Sequence, residues 1–154
     1  MKTKTILLSI AMCLVAGAVC FASDTQMGTW KLNEAKSKMS AGAPKNTQVV
    51  SEAAGESVKV TVDGVGPDGK PTHNEWTGKF DGKDYPVTGD PSQDARSYKM
   101  ISDHKLQLTV KKDRKVTTSG PIVVSADGKT RTVTTSGTTS QGKKFKSVAV
   151  YDKQ

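Results

Sequence analysis

Apolar and polar side chains alternate along most of this chain, and this period of two constrains its fold more than any other feature. The clearest runs are residues 57–63 and 105–111, where every second residue is valine or leucine. Side chains two positions apart point to the same face of a β-strand, so each run describes a strand with one buried and one wet face. Helical periodicity is hard to find after residue 26. The pattern therefore predicts an all-β fold.

Turn signals separate the alternating runs. Asp-Gly-Lys occurs at 68–70, 81–83 and 127–129, and Gln-Gly-Lys occurs at 141–143. Asp-Gly between alternating runs is a strong hairpin signal, because both residues tolerate the positive φ of tight turns. The segments between these tripeptides share no common pattern. The tripeptides are therefore residues typical of turns and do not indicate a solenoid repeat.

The runs and turns together predict ten short strands. We expect them near residues 27–33, 46–54, 56–65, 71–80, 84–88, 95–102, 104–111, 115–124, 129–138 and 143–152. Their short connections favour antiparallel pairing of sequence neighbours. The polar segment 34–45 is predicted to be a loop with one helical turn. An up-and-down antiparallel meander of about eight to ten strands closes into a β-barrel or splits into a sandwich, and we favour the barrel or a strongly curled sheet.

The N-terminus reads as an export signal. Lys2 and Lys4 precede residues 6–22, which carry no charge. That stretch has the length of a signal-peptide hydrophobic region and is short for a membrane span, which needs ~20 apolar residues. We predict a signal peptide at residues 1–22, cut near Ala22, and a single domain at residues 23–154 in the periplasm or outside the cell. A cut one residue later, or an uncleaved anchor, is the alternative.

The cysteines and charges narrow the classes of function. Cys13 and Cys20 both lie within the predicted signal, so the mature domain would have no disulfide, thiolate metal site or cysteine nucleophile. The net charge of +8 falls to +6 when Lys2 and Lys4 are removed. The remaining lysines are spread along the chain, whereas a nucleic-acid interface is expected to cluster them. We therefore predict no nucleic-acid partner. We also predict no stable membrane insertion after cleavage, and a monomer.

Both ends of the mature chain carry a recognisable pattern. Gly-Thr-Trp-Lys-Leu stands at 28–32 and Val-Ala-Val-Tyr-Asp-Lys at 148–153. With the meander between them, residues 27–153 resemble the calycin superfamily of lipocalins and fatty-acid-binding proteins, and are most similar to bacterial secreted lipocalin-like proteins. The resemblance implies a lipocalin-like β-barrel in which Gly28 and Trp30 are structural and Trp30 plugs the closed end.

The last strand departs from that family. Fatty-acid-binding proteins usually carry Arg-x-Tyr there, and the arginine and tyrosine hold the ligand carboxylate. The matching residues here are Ala149 and Tyr151. The two-helix lid and the C-terminal helix of these families are also missing. A carboxylate without a partner in an apolar lumen is costly, so the family's usual mode of binding is not predicted.

The larger side chains on shared strand faces are the candidate ligand contacts. They are Trp76, Phe80, Tyr98, Met100 and Tyr151. If Tyr151 points inward, so do Ala149, Ser147 and Phe145. An aromatic and methionine lining suits a small apolar ligand. The alternative is that these residues only fill the core.

Catalytic and metal-binding groupings are missing from the sequence. His73 and His104 are far apart, have no companion ligands, and are predicted to be surface residues beside turns. No Gly-x-Ser-x-Gly turn is present. We predict no enzyme, no metal and no cofactor.

Two functions remain open. The first is a lipocalin-like protein that binds a small neutral or amphipathic ligand. The second is a structural or envelope-interaction module that acts through a basic surface. The concentrated basic spot is formed by Lys111, Lys112, Arg114 and Lys115.

Overall fold

The computed structural model of the protein describes residues 24–154, so the predicted signal peptide at 1–22 lies outside the described residues. Ten strands account for nearly all of its regular structure. They are β1 (Gly28–Leu32), β2 (Lys45–Ala54), β3 (Ser57–Val65), β4 (Pro71–Gly78), β5 (Tyr85–Thr88), β6 (Ala95–Ser102), β7 (Lys105–Lys112), β8 (Lys115–Val124), β9 (Thr130–Thr138) and β10 (Lys144–Lys153). The prediction of ten strands is confirmed, with boundaries within two residues.

The strands form one closed barrel in sequence order. Each strand pairs antiparallel with its neighbour in the chain, and β1 closes the ring by pairing with β10. In that closing ladder Trp30 lies opposite Lys153, and Leu32 lies opposite Tyr151. Closure satisfies the backbone N–H and C=O groups that an open sheet would leave unpaired. The barrel alternative is confirmed over the sandwich.

The Asp-Gly-Lys tripeptides at 68–70 and 127–129 form the tight turns that they predict, whereas 81–83 is a bend in the longer connection between β4 and β5, where Asp81 bridges Lys99. Gly69, Gly82 and Gly128 have φ of 78°, 80° and 70°, values that glycine adopts without steric cost. In each turn the aspartate Oδ1 accepts a hydrogen bond from the backbone N–H two residues later, at 3.0 to 3.1 Å. This is an Asx turn, in which the side chain replaces a backbone acceptor.

The polar segment between β1 and β2 contains one helical turn, as predicted. It is a 3-10 turn at Glu34–Lys36, and the Asn33 side chain accepts a hydrogen bond from the Lys36 N–H. The chain then runs beside β10, where Lys38 forms a bridge with Val148. The segment therefore extends the barrel wall beyond β1. Within residues 24–154, no helix is both long and apolar enough to cross a bilayer.

Alternation places one face of every strand inside the barrel. Val58, Val60 and Val62 of β3 are all buried, and Leu106 of β7 and Ile122 of β8 are also buried. Leu106 and Ile122 lie directly opposite each other in the ladder. The core is thus the barrel interior, and it is filled most completely at the end where β1 begins.

Candidate ligand-binding site

The floor of the barrel is built around Trp30. Its side chain is fully buried, at 0% exposure, and its indole Nε1 donates a 3.2 Å hydrogen bond to the backbone carbonyl of Gln26. Gln26 belongs to a 3-10 turn at Asp24–Gln26 that precedes β1. Gly28 has φ of 106°, and a Cβ there would lie 3.0 Å from Cε of Lys153. The predicted structural role of Gly28 and Trp30 fits this geometry and stays a prediction.

An aromatic cluster fills one side of the interior. The Trp76 ring lies 4.8 Å from Tyr98, 5.7 Å from Tyr85 and 6.3 Å from Phe80, measured between centroids. The Trp76 indole also donates a 2.8 Å hydrogen bond to the Arg96 carbonyl on β6. Edge-to-face and offset contacts of this kind add to the energy of burial.

The structure brings most of the predicted ligand contacts together. Trp76, Phe80 and Tyr98 touch one another, Met100 packs against the same buried cluster, and Tyr151 is buried on β10. Trp76 and Tyr98 are themselves almost fully buried. They therefore form a packed wall, and their contact with a ligand stays a prediction.

The inner wall on β7 to β10 is less covered. Leu108 and Val110 follow buried Leu106 on the same strand face but are only half-buried. Val133 on β9 is also half-buried, two positions after buried Arg131 on the same inward face. Phe145 on β10 is half-buried too, two positions before buried Ser147. The inside of the barrel is therefore a cup, with a closed floor near Trp30 and a partly open wall above it.

An open depression lies at the rim of this wall. Its volume is about 310 Å³, and it is formed by β8, β9 and the start of β10. Its lining residues are Val116, Thr117, Thr118, Ser119, Ser136, Gly137, Thr138, Lys144 and Phe145. Hydroxyl groups and the Phe145 ring share this lining, so the rim offers both polar and apolar contacts.

A buried arginine stands against the floor. Arg131 on β9 is 4% exposed and lies directly opposite Tyr151 on β10. Its Nε and Nη1 atoms have no hydrogen-bond partner within residues 24–154. Burial lowers the pKa of Arg131, and the ionisable groups that act on it are Tyr98, Tyr151 and Arg96. None of these groups is a carboxylate.

Arg96 on β6 is also buried, but its hydrogen bonds are satisfied. Its guanidinium donates to Gln93 Oε1 at 2.8 and 3.2 Å, to Asn74 Oδ1 at 2.9 Å and to the Tyr98 hydroxyl at 3.3 Å. Gln93 in turn donates to the Asp90 carboxylate at 2.6 Å. The charge of Arg96 is thus connected to an acid through one amide, whereas Arg131 has no such connection.

Neither arginine is among the predicted site residues, and their burial makes the lumen more polar than the apolar one that we expected. Ala149 does stand where the family carries its arginine, but the cation near Tyr151 comes from the neighbouring strand. The sequence did contain a pattern that places these two arginines in the interior. Arg96 alternates with Tyr98, and Arg131 alternates with Val133, so the period of two placed both guanidinium groups inside.

The predicted basic surface is the turn between β7 and β8. Lys111 Nζ lies 2.6 Å from Asp84 Oδ2, and the Asp113 N–H donates a 2.7 Å bond to Asp94. Nearby acids therefore offset part of the positive charge of this turn. Lys112, Arg114 and Lys115 complete it, and its role in binding a partner stays a prediction.

The histidines occupy different environments. His73 lies on the outer face of β4, exposed, with Nδ1 2.7 Å from Asp63 and Nε2 3.8 Å from Glu75. His104 lies in the turn between β6 and β7, but its Nδ1 is buried without a partner among residues 24–154. His104 as a whole is only half-buried and lies in that turn, in agreement with the prediction of a residue beside a turn. Across the same residues, no cluster of three or more His, Cys, Asp or Glu side chains is arranged to hold a metal.

Comparisons with known proteins give neighbours of similar overall shape. No protein family and no curated protein matches this chain. Among solved structures it is similar to a redesigned β-barrel, mFAP1, bound to DFHBI, at 17% identity and a TM-score of 0.45, covering 86% of this chain and 98% of that one. It is also similar to EF1p2_mFAP2b bound to DFHBI, at 11% identity and a TM-score of 0.48, covering 86% and 97%.

Proposed function

We propose that this protein is a non-enzymatic binding protein that takes one small amphipathic molecule into its barrel. The observation that carries the proposal is the cup: a fully packed floor at Trp30 beneath inward-facing Leu108, Val110, Val133 and Phe145 that are only half-buried. These residues face the interior yet retain contact with solvent.

Covering that wall would be favourable. Apolar surface removed from water contributes about 25 cal/mol per Å², so a ligand that covers several of these side chains gains useful binding energy. Small-molecule sites are typically concave and mostly apolar, with a few polar groups that fix the orientation of the ligand. The wall supplies the apolar part, and the hydroxyl of Thr118, at an inward position of the rim, supplies a polar contact.

The choice between a neutral and an amphipathic ligand depends on the lumen. Two guanidinium groups, Arg96 and Arg131, are buried inside the barrel. A wholly apolar ligand would leave the donors of Arg131 without acceptors, and buried polar groups are expected to be hydrogen-bonded. An amphipathic ligand with a polar end satisfies both parts of the interior.

The place of action that we propose is the periplasm or the cell exterior. The support is the sequence of residues 1–22, with Lys2 and Lys4 followed by an uncharged stretch. Size-resolved mass spectrometry of the protein recovered from an envelope fraction tests this part. We expect the mass of a mature chain whose first residue is near Ser23. Recovery of an uncut chain held in the membrane would contradict the proposed export.

Binding is tested with Nile red, a neutral dye whose emission depends on polarity. We expect saturable binding of one dye per chain, with a blue shift. Val110→Trp would fill the cup and weaken binding at least about tenfold, a change of ~1.4 kcal/mol. Val123→Trp is the matched control, because Val123 is 42% exposed at an outward position of β8. A protein that binds no dye, or whose two variants behave alike, would overturn the proposal.

A further inference from the structure

We infer that the outer wall of the barrel over β6–β8 docks on the surface of an anionic lipid bilayer. The contact is peripheral. Lysines of the wall meet the lipid phosphate groups, and exposed aliphatic side chains enter the boundary between head groups and acyl chains. The proposed function concerns the inside of the barrel, so this inference is independent of it and uses only residues that face outward.

Charge is divided unequally between the two sides of the barrel. Residues 24–94, which include β1–β5, carry eight lysines and eleven acidic residues, a net charge of −3. Residues 95–154, which include β6–β10, carry thirteen lysines and arginines and four aspartates, a net charge of +9. Because the strands follow one another around the ring, each of these segments forms one side of the molecule. Cations that are spread along the chain are therefore gathered on one side, and their summed field attracts anionic surfaces.

The cations of this basic side are mostly unpaired. Two of the thirteen are buried arginines, so eleven remain that can meet a partner. Within residues 24–154, only Lys111 of these eleven forms an ion pair. Lys112 and Lys115 lie directly opposite each other in the β7–β8 ladder. Like charges in that position destabilise a sheet, and lipid phosphates would offset the repulsion.

Exposed aliphatic side chains lie beside these cations. Within residues 24–154 the exposed large hydrophobic residues are Ile101, Val116 and Val123, at 53%, 58% and 42% exposure. All three belong to β6 or β8. Val123 lies directly opposite Lys105 in the β7–β8 ladder, and Val116 directly follows Lys115. An apolar group beside a cation suits the membrane interface, where hydrocarbon and anionic head groups meet.

The aliphatic residues favour a bilayer over a soluble polyanion. A nucleic acid or an acidic polysaccharide offers negative charge but no hydrocarbon that would cover Ile101 or Val123. Single-stranded nucleic acids are commonly held by stacking on aromatic side chains. None of the exposed large hydrophobic residues among residues 24–154 is aromatic. A bilayer with anionic lipids supplies both hydrocarbon and charge, and each lysine near its surface adds to the attraction.

The test is co-sedimentation of the protein with phosphatidylcholine vesicles, with and without about 30% phosphatidylglycerol. We expect binding to the anionic vesicles only. This binding should be lost at about 1 M salt, where charges are screened beyond about 3 Å. The combined variant Lys105→Gln, Lys112→Gln and Lys115→Gln should bind anionic vesicles at least about tenfold more weakly. A protein that does not bind anionic vesicles would overturn the inference.

The matched control removes the same charge from the other side of the barrel. It combines Lys45→Gln, Lys59→Gln and Lys70→Gln, because each of these lysines pairs with an acid around β2–β4. This variant should bind anionic vesicles nearly as well as the unaltered protein. Equal losses in the two triple variants would show that net charge alone matters, and the assignment to the β6–β8 wall would then be wrong.

A third variant distinguishes a bilayer from a soluble polyanion. Ile101→Ser with Val123→Ser keeps every charge and removes the aliphatic contacts. It should weaken vesicle binding at least about fivefold, whereas binding to heparin, a soluble polyanion, should not change. If this variant binds vesicles as the unaltered protein does, charge alone is recognised and the inference falls. Nile red binding in vesicle-free solution reports on the cup separately and should be the same in all three variants.

Discussion

Arg131 and Tyr151 face each other across the β9–β10 ladder, and both are almost completely buried, at 4% and 2% exposure. The Tyr151 hydroxyl donates to the Asn46 carbonyl on β2, so the phenol spans the interior from one wall to another. Burial raises the pKa of this phenol to about 12, although the positive charge of Arg131 acts in the opposite direction. The pair therefore combines a cation with a neutral acceptor.

Stability in alkali should depend on Tyr151. Its pKa is about 12 in the folded protein against an ordinary value of 10.0, so the folded state disfavours the phenolate. The contribution of this group to stability is complete below pH 10 and is lost as pH rises from 10 towards 12. Urea unfolding across this window should show a smaller decline for Tyr151→Phe than for the unaltered protein. Equal declines would show that Tyr151 ionises freely in the fold.

Truncating Trp30 should be severely destabilising. The side chain is fully buried and its indole donates to Gln26. Trp30→Ala should lower the free energy of unfolding by about 3–5 kcal/mol, the range for large aromatic side chains in cores. Trp30→Phe keeps a ring and loses only the N–H donor and part of the volume, so it should cost less. Urea denaturation measures both, and a loss for Trp30→Ala below ~1 kcal/mol would contradict a structural role.

Gly137 should not accept a side chain. A Cβ on this residue would lie 2.0 Å from the Thr117 carbonyl oxygen on β8. Because the opposing atom is backbone, relief requires the two strands to separate, and we expect Gly137→Ala to cost about 1–3 kcal/mol. The neighbouring Ser136→Ala, on an exposed residue, should stay within about 0.5 kcal/mol. Thermal unfolding of the pair gives the comparison, and equal values would contradict the close approach of β8 and β9.

His73 should titrate above its ordinary range. Its hydrogen bond to Asp63 raises the pKa of His73 from 6.5, partly opposed by desolvation, and Glu75 adds to the increase. The charged form is favoured by folding, so this contribution is complete below pH 6.5 and is lost as pH rises through the folded pKa. A proton NMR titration should give a lower pKa for His73 in Asp63→Asn. An unchanged midpoint would show that the Asp63 contact is not held in solution.

The alternation of side chains predicted most of the fold because an up-and-down barrel is specified mainly by strands with one apolar face and by short turns between them. Residues 57–63 and 105–111 have one apolar face each, and a sheet with one such face must bury it. Asp-Gly at 68–69, 81–82 and 127–128 fixed where the chain reverses. Closure through β1 and β10 was harder to predict, since it depends on sheet twist and shear, which single residues do not encode.

The site was less predictable because burial overrides residue type. Arg96 and Arg131 are charged, and charged residues are rarely placed inside without partners. The pattern alone gave no reason to expect Gln93 and Asn74 beside Arg96, or Trp30 beside Arg131. These neighbours come together only when the sheet curls, so they follow from tertiary structure and not from spacing.

Closure of the ring by β1 and β10 has a kinetic consequence. Asn33 and Asp152, which meet through a 2.7 Å hydrogen bond near that seam, are 119 positions apart in the chain. Bringing such distant residues together costs chain entropy before their contacts can stabilise the fold. Chains dominated by distant pairings therefore fold slowly. Until the final ladder forms, β1 and β10 are unpaired sheet edges, which can associate with the edges of another copy of the chain.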